Sequence, residues 1–147
     1  MLDLIDRENK ATTYIAHTST IEANLTSAST VDLHGNIKGN VTVGSLLSVH
    51  GSINGQVETN DLIIRYNGVV KGDCHCFFES LIEQEGKLIG DINTGSIEIK
   101  GYLKGNITAE ENVIIRKGAN VDGNITCRSL VVDEGGIING TVRLVYR

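Results

Sequence analysis

Three groups of residues in this chain have types and spacings that could do chemistry. The first is Cys74-His75-Cys76, a run of metal-ligand types. In an extended strand, however, residues two apart face one way and the residue between them faces the other. Cys74 and Cys76 therefore point together and His75 points away, so the three do not converge on one ion. Cys74 falls in the inward slot that Val57 and Ile92 hold in neighbouring copies of a repeat, and Cys76 and Cys127 share another inward slot with Val43 and Ala109. Both read as core residues. Cys76 and Cys127 lie three coils apart, about 14 Å by strand spacing, which is too far for a disulfide.

The second group is His34 and His50, 16 residues apart and each followed by glycine. They are expected to stack on one outer corner. Stacked imidazoles can bind a metal, but Lys100 reads as the next equivalent residue and no carboxylate or third histidine is expected to join the pair. A solvated corner follows. The third group is Phe77-Phe78 at an enlarged corner, which is either an exposed partner-binding knob or the filling of that corner. No Ser/His/Asp set, phosphate-cradling glycine loop or paired-carboxylate cleft stands out, so no enzyme activity, cofactor or metal is expected. The Asn-x-Thr triplets, such as Asn40-Val41-Thr42, are by-products of the repeat rather than glycosylation sites.

The elements that position these residues come from a five-residue unit: apolar, any, glycine, polar, apolar. It reads Ile37-Lys38-Gly39-Asn40-Val41, Ile53-Asn54-Gly55-Gln56-Val57, Val70-Lys71-Gly72-Asp73-Cys74 and Leu88-Ile89-Gly90-Asp91-Ile92. It continues as Leu103-Lys104-Gly105-Asn106-Ile107, Val121-Asp122-Gly123-Asn124-Ile125 and Ile138-Asn139-Gly140-Thr141-Val142, with a worn first copy, Ile21-Glu22-Ala23-Asn24-Leu25. The units start at 21, 37, 53, 70, 88, 103, 121 and 138, in steps of 15 to 18. Alternating pairs such as Val31-x-Leu33, Leu47-x-Val49 and Ile97-x-Ile99 lie between them, the signature of strands with one face in and one out.

A period this short suits one turn of a β-solenoid, whose coils bury a core only by stacking. The expected fold is all-β: a single-domain right-handed parallel β-helix of about eight coils, three short strands per coil. At about 4.8 Å per rung the rod is roughly 35–40 Å long. The handedness follows the rule for parallel crossovers. The polar residue of each unit (Asn40, Gln56, Asp73, Asp91, Asn106, Asn124) forms a corner ladder that can bond the next coil and tolerate unusual backbone angles. Residues 1–11 read as a short flexible tail and 12–147 as the domain.

Composition agrees. Seventeen glycines and no proline in 147 residues fit many tight corners whose N–H groups are all in use. The net charge of −5 and the lack of a Lys/Arg cluster argue against nucleic acid. No apolar run approaches the ~20 residues that span a bilayer, and Met1 to Lys10 lacks the basic and apolar regions of a signal peptide. Three cysteines, an odd number, fit a reducing compartment.

Thr13-Tyr14-Ile15-Ala16-His17 leading into the first unit, the coil units themselves, and Ile114-Ile115-Arg116-Lys117-Gly118-Ala119 together make residues 12 to 147 resemble a bactofilin. The resemblance implies a bacterial cytoskeletal scaffold that assembles without nucleotide into non-polar filaments, joined head-to-head and tail-to-tail. It also implies a cytoplasmic protein, often at the inner face of the membrane, that positions cell-wall enzymes or membrane proteins. The chain's own residues point the same way. A solenoid ends in open strand edges and an uncovered core, and no polar cap is visible at either end. The expected polymer interfaces are Tyr14, Ile15, Ile21 and Leu25 at one end and Ile137, Val142, Leu144 and Tyr146 at the other. Met1, Leu2, Leu4 and Ile5 form an apolar tip suited to weak membrane contact that a filament would multiply. The alternatives are an adaptor rod that does not polymerise and, with less support, a hexapeptide-repeat acyltransferase. The latter's six-residue aliphatic period holds from Leu25 to Val49 and then breaks, with Gly55, Asp61, Asn67 and Asp73 in its slots.

Overall fold

The computed structural model describes residues 12–145. Every regular element in that span is a β-strand, and every recorded strand pair is parallel. The strands form a 12-stranded and an 8-stranded sheet in which each strand pairs with its equivalents in the coils before and after. The 8-stranded sheet takes one strand per coil, from Thr20–Ile21 through Asn36–Lys38 to Ile137–Asn139. The described residues thus form a solenoid of about eight turns, and parallel pairing follows because each coil crosses a given face in the same direction.

Register turns the sequence repeat into continuous inward ladders. One runs Leu25, Val41, Val57, Cys74, Ile92, Ile107, Ile125, Val142. A second runs Ile21, Ile37, Ile53, Val70, Leu88, Leu103, Val121, Ile138. These side chains meet along the axis and are buried in all but the end rungs. The cost of hiding so much backbone is met by hydrogen bonds between rungs, even at corners: Gly55 N–H donates to Lys71 O at 2.9 Å and Gly90 N–H to Lys104 O at 2.8 Å. Proline has no such donor, which explains its absence.

The expected three faces per coil are present, but in the four middle coils two of them run into one strand. Val41–Val49, Val57–Ile64, Cys74–Ile82 and Ile92–Ile99 bend across the corner without losing strand pairing. The extra residues are absorbed by register shifts at Val43/Leu46 and Cys76/Glu79, bulges that turn a strand where a loop would otherwise be needed.

The opposite corner is far stricter. Gly105 has φ +144°, and a Cβ on it would lie 2.1 Å from the carbonyl oxygen of Gly90 in the rung below. Gly39, Gly55, Gly72, Gly90, Gly123 and Gly140 repeat that crowding against their own lower neighbours. Glycine is therefore demanded both by backbone angle and by rung spacing. The unusual angle belongs to the glycine, not to the polar residue after it; among the described non-glycine residues only Thr18, Asn67 and Glu85 have positive φ. Ala23, in the worn first unit, does not share the positive φ of the later corner glycines.

On the outside of this sheet, Lys38, Asn54, Lys71, Ile89, Lys104 and Asp122 stack in register. The lysines fall on alternate rungs, about 10 Å apart, which relieves the repulsion that adjacent like charges would meet.

Candidate functional site

The two end rungs carry the repeat but lack a described neighbour. At the C-terminal end Val142 is 38% exposed and Leu144 49%, and Ile137 and Val145 are also exposed. Val131 and Val132, in the strand Ser129–Val132 of the same rung, join them. The end strands Ile137–Asn139 and Val142–Leu144 pair on one side only among the described residues. They offer open backbone donors and acceptors beside apolar side chains. Tyr146 lies outside the described residues, as do Met1, Leu2, Leu4 and Ile5.

The N-terminal end differs. Tyr14 is 60% exposed, but Ile15 is buried in the core, and Ile21 and Leu25 are half-buried against it. Tyr14 stands on the outer side of the strand Thr12–Ile15, where its ring packs 5.0 Å from that of His34. Of the four residues read as this end's interface, one thus lies on the rod's flank and one is wholly core.

The corner ladder binds rung to rung. Asn24 Oδ1 accepts from Asn40 N–H at 2.9 Å, Asn40 Oδ1 from Gln56 N–H at 3.0 Å and Asp73 Oδ1 from Asp91 N–H at 3.1 Å. Asp91 Oδ1 accepts from Asn106 N–H at 2.8 Å, Asn106 Oδ1 from Asn124 N–H at 3.0 Å and Asn124 Oδ1 from Thr141 N–H at 3.0 Å. The series skips the step from Gln56 to Asp73, where the extra methylene of glutamine moves the acceptor out of place.

The cysteine group has no free chemistry. Cys74, Cys76 and Cys127 are free and buried, while His75 is exposed and packs against Phe77 at 4.7 Å. Burial, reinforced by Cys76 and Asp73, pushes the Cys74 thiol up to about 12. Burial also raises Cys76 and Cys127. The single proton of the Cys76 thiol lies within hydrogen-bond reach of the carbonyls of Asn60, at 3.1 Å, and Glu79, at 3.0 Å. Thiolates are the nucleophiles and the metal ligands, and these groups are held as thiols.

Phe77 and Phe78 project from the bulged corner, 48% and 59% exposed, so they do not fill it. Beneath that corner lies a polar seam the sequence reading did not single out. Thr59, Ser80 and Thr94 occupy inward slots, with Ser80 and Thr94 hydroxyls 3.0 Å apart and Thr59 Oγ1 donating to Asp61 O at 2.9 Å. Their small hydroxyls satisfy carbonyls that the bend frees. A shallow groove of about 510 Å³ runs nearby across the outer face, lined by Leu46, Ile63, Leu81 and Ile114 beside Glu79 and Glu98. No histidine or cysteine lines it.

The histidine corner departs from expectation. His34 and His50 do stack, with ring centroids 4.1 Å apart and planes at 9°. But a carboxylate joins them: Asp32 Oδ1 lies 3.2 Å from His34 Nε2 and 3.6 Å from His50 Nε2. Asp32 lies in the strand Thr30–Leu33 and His34 follows directly after it, two residues on, so both face outward. The next rung brings Arg65, not Lys100, to the place after His50. A search along the repeat finds residues stacked above and below; this carboxylate is reached along the strand.

No helix among the described residues is long and apolar enough to cross a membrane. No solved structure matches the chain. A curated relative, Bactofilin BacO of Myxococcus xanthus (strain DK1622), is 32% identical over 82 residues, covering 56% of this chain and 64% of its own length. The chain thus spans less than two thirds of that relative. The family model for bactofilins, described as polymer-forming cytoskeletal, matches twice, over residues 5–75 and 64–143. Two overlapping copies across nearly the whole solenoid agree with a fold built by repetition, and this chain belongs to the bactofilin family of polymer-forming cytoskeletal proteins.

Proposed function

We propose that this chain is a scaffold subunit that assembles end to end, without nucleotide, into non-polar filaments joined head-to-head and tail-to-tail. The observation that carries the reading is the exposed apolar rung at the C-terminal end, where Val142 and Leu144 hold positions that Ile125 and Cys127 occupy as core one rung earlier, with Ile137 exposed on the flank above Asn120. Burying each such side chain against a second copy contributes about 1.5–3 kcal/mol. Several of them, with pairing of the open strand edges, offset an association cost of roughly 4–15 kcal/mol. Assembly without nucleotide is supported by the interior unit corners, where the N–H groups of Gly39, Gly55, Gly72, Gly90, Gly105 and Gly123 already donate to the next rung and so do not cradle a phosphate.

The test is negative-stain microscopy of the purified protein without nucleotide. Filaments are expected from the natural chain, and single particles or dimers from Leu144→Arg and Val142→Asp. Filaments persisting in both variants would sink the end-on model, and unpolymerised rods from the natural chain would favour the adaptor reading.

The same reading places the filament in the cytoplasm at the inner membrane face, through Met1, Leu2, Leu4 and Ile5, with cell-wall enzymes or membrane proteins as its cargo. One such tip binds weakly, but a filament presents many together. Cosedimentation with anionic liposomes, comparing the full chain with one lacking residues 1–10, is expected to show binding that depends on those residues. Equal sedimentation of the two removes the membrane from the proposal.

A further inference from the structure

We propose that Asp32, His34 and His50 form a binding site for one divalent transition-metal ion of the zinc class, clasping two successive rungs of the solenoid. The three side chains each offer one ligand atom, and these atoms all lie within 4.8 Å of one another. Tetrahedral zinc with bonds of about 2.0–2.2 Å sets its ligand atoms about 3.3–3.6 Å apart. The two carboxylate–imidazole distances, 3.2 and 3.6 Å, lie close to that spacing.

An independent observation marks Asp32 as unfinished. Its Oδ1 is shut off from solvent and has no hydrogen-bond partner among the described residues, although two imidazole nitrogens lie close by. A buried carboxylate oxygen without a partner is costly. A cation held jointly with the histidines would supply the missing interaction.

The surroundings suit an ion with open coordination. Tyr14 packs on His34 from the rung below. From the rung above, Arg65 is turned aside: its Nε donates to Ser48 Oγ at 3.1 Å and its Nη1 pairs with Glu83 at 3.1 Å. That ion pair offsets the one nearby charge that would oppose a cation. The three ligands are partly exposed, side chains 28% to 37% open, so an ion can enter and water can complete its shell. Two imidazoles and one carboxylate select zinc, copper, nickel or cobalt over magnesium or calcium, which take oxygen ligands. The stacked rings open by rotation about their side-chain bonds to aim both nitrogens at the ion.

Equilibrium dialysis with Zn²⁺ on the full chain tests this, together with Co²⁺ absorption. The natural protein is expected to retain one Zn²⁺ per chain. His50→Gln and Asp32→Asn, each with unchanged circular dichroism, are expected to lose affinity by more than about 100-fold, since even outer-shell partners are worth roughly 10–100-fold. Bound Co²⁺ is expected to show visible bands of a nitrogen–oxygen site without thiolate charge transfer. Zn²⁺ uptake equal in the natural chain and both variants, no uptake by the natural chain, or a thiolate band placing the ion on a cysteine would each overturn the proposal. Filament formation is read separately by microscopy, so failure of the metal site leaves the assembly reading intact.

Discussion

The interior rungs and the C-terminal rung are built from the same repeat, yet they meet opposite environments. Ile125 is fully buried, and Val142, its register partner one rung on, is 38% exposed. Val121 is buried and Ile138, stacked on it, is only partly so. Residue type does not explain the difference, since both positions are aliphatic in both rungs. What differs is the presence of a neighbour on the far side. In a solenoid each coil is half of its neighbour's core, so an end rung presents core chemistry as surface. Its side chains are already shaped to receive another rung, and a second copy can supply one.

The largest expected effect separates these regions by charge. Ile107→Asp places a carboxylate in the axis between Ile92 and Ile125 and is expected to cost more than about 4 kcal/mol, enough to prevent folding. Val142→Asp, in the same ladder two rungs later, is expected to leave the circular dichroism spectrum unchanged and abolish filaments. If both variants fold, or neither does, burial by stacking is not what distinguishes the rungs.

The glycine corner gives the next contrast. Gly105→Ala must fit a methyl 2.1 Å from a carbonyl oxygen at φ +144° and is expected to cost about 3–5 kcal/mol in denaturant unfolding. Gly118 also has positive φ, +83°, but a methyl there meets nothing within 4 Å. Its replacement by alanine is expected to cost only about 1–2 kcal/mol. Equal costs would mean that backbone angle rather than rung spacing sets the corner.

Cys74 probes the interior by chemistry. Its thiol, ordinarily near 9.0, is raised to about 12 in the folded chain. The unfolded chain therefore loses the proton first. The stability this buried thiol contributes is present below about pH 9 and declines as pH rises toward 12. Alkylation at pH 8 is expected to spare Cys74 in the folded protein and modify it in denaturant, as read by mass spectrometry; rapid labelling of the folded chain would show that the middle rungs open. The smallest effect lies on the corner ladder. Asn124→Ala removes the acceptor for Thr141 N–H and is expected to cost about 0.5–1 kcal/mol. Gln56→Asn fills the gap before Asp73 and is expected to stabilise by about 0.5 kcal/mol. A loss of stability in the latter would show that the gap is not set by side-chain length.

Much of this was legible because rung stacking is written along the chain as a period. The spacing of Ile37, Ile53 and Val70, or of Gly90 and Gly105, already states which residues lie above one another. The merged faces were not legible, since Val41–Val49 bends through a bulge and keeps its pairing where a corner is expected. Nor was the exposure of Phe77 and Phe78, because an enlarged corner can fold inward or outward with the same residues.

By itself the sequence determined the coil, its repeat and the identity of the core ladders, because one dimension of order is enough to specify a stack of equivalent turns. The tertiary structure alone decided how unlike positions meet. It brought Asp32 of one rung to His50 of the next, paired Ser80 with Thr94 across the bent corner, and set Ile15 in the core while leaving Leu144 open. Those contacts depend on side-chain direction and on the register between different places in the repeat, and a period fixes neither.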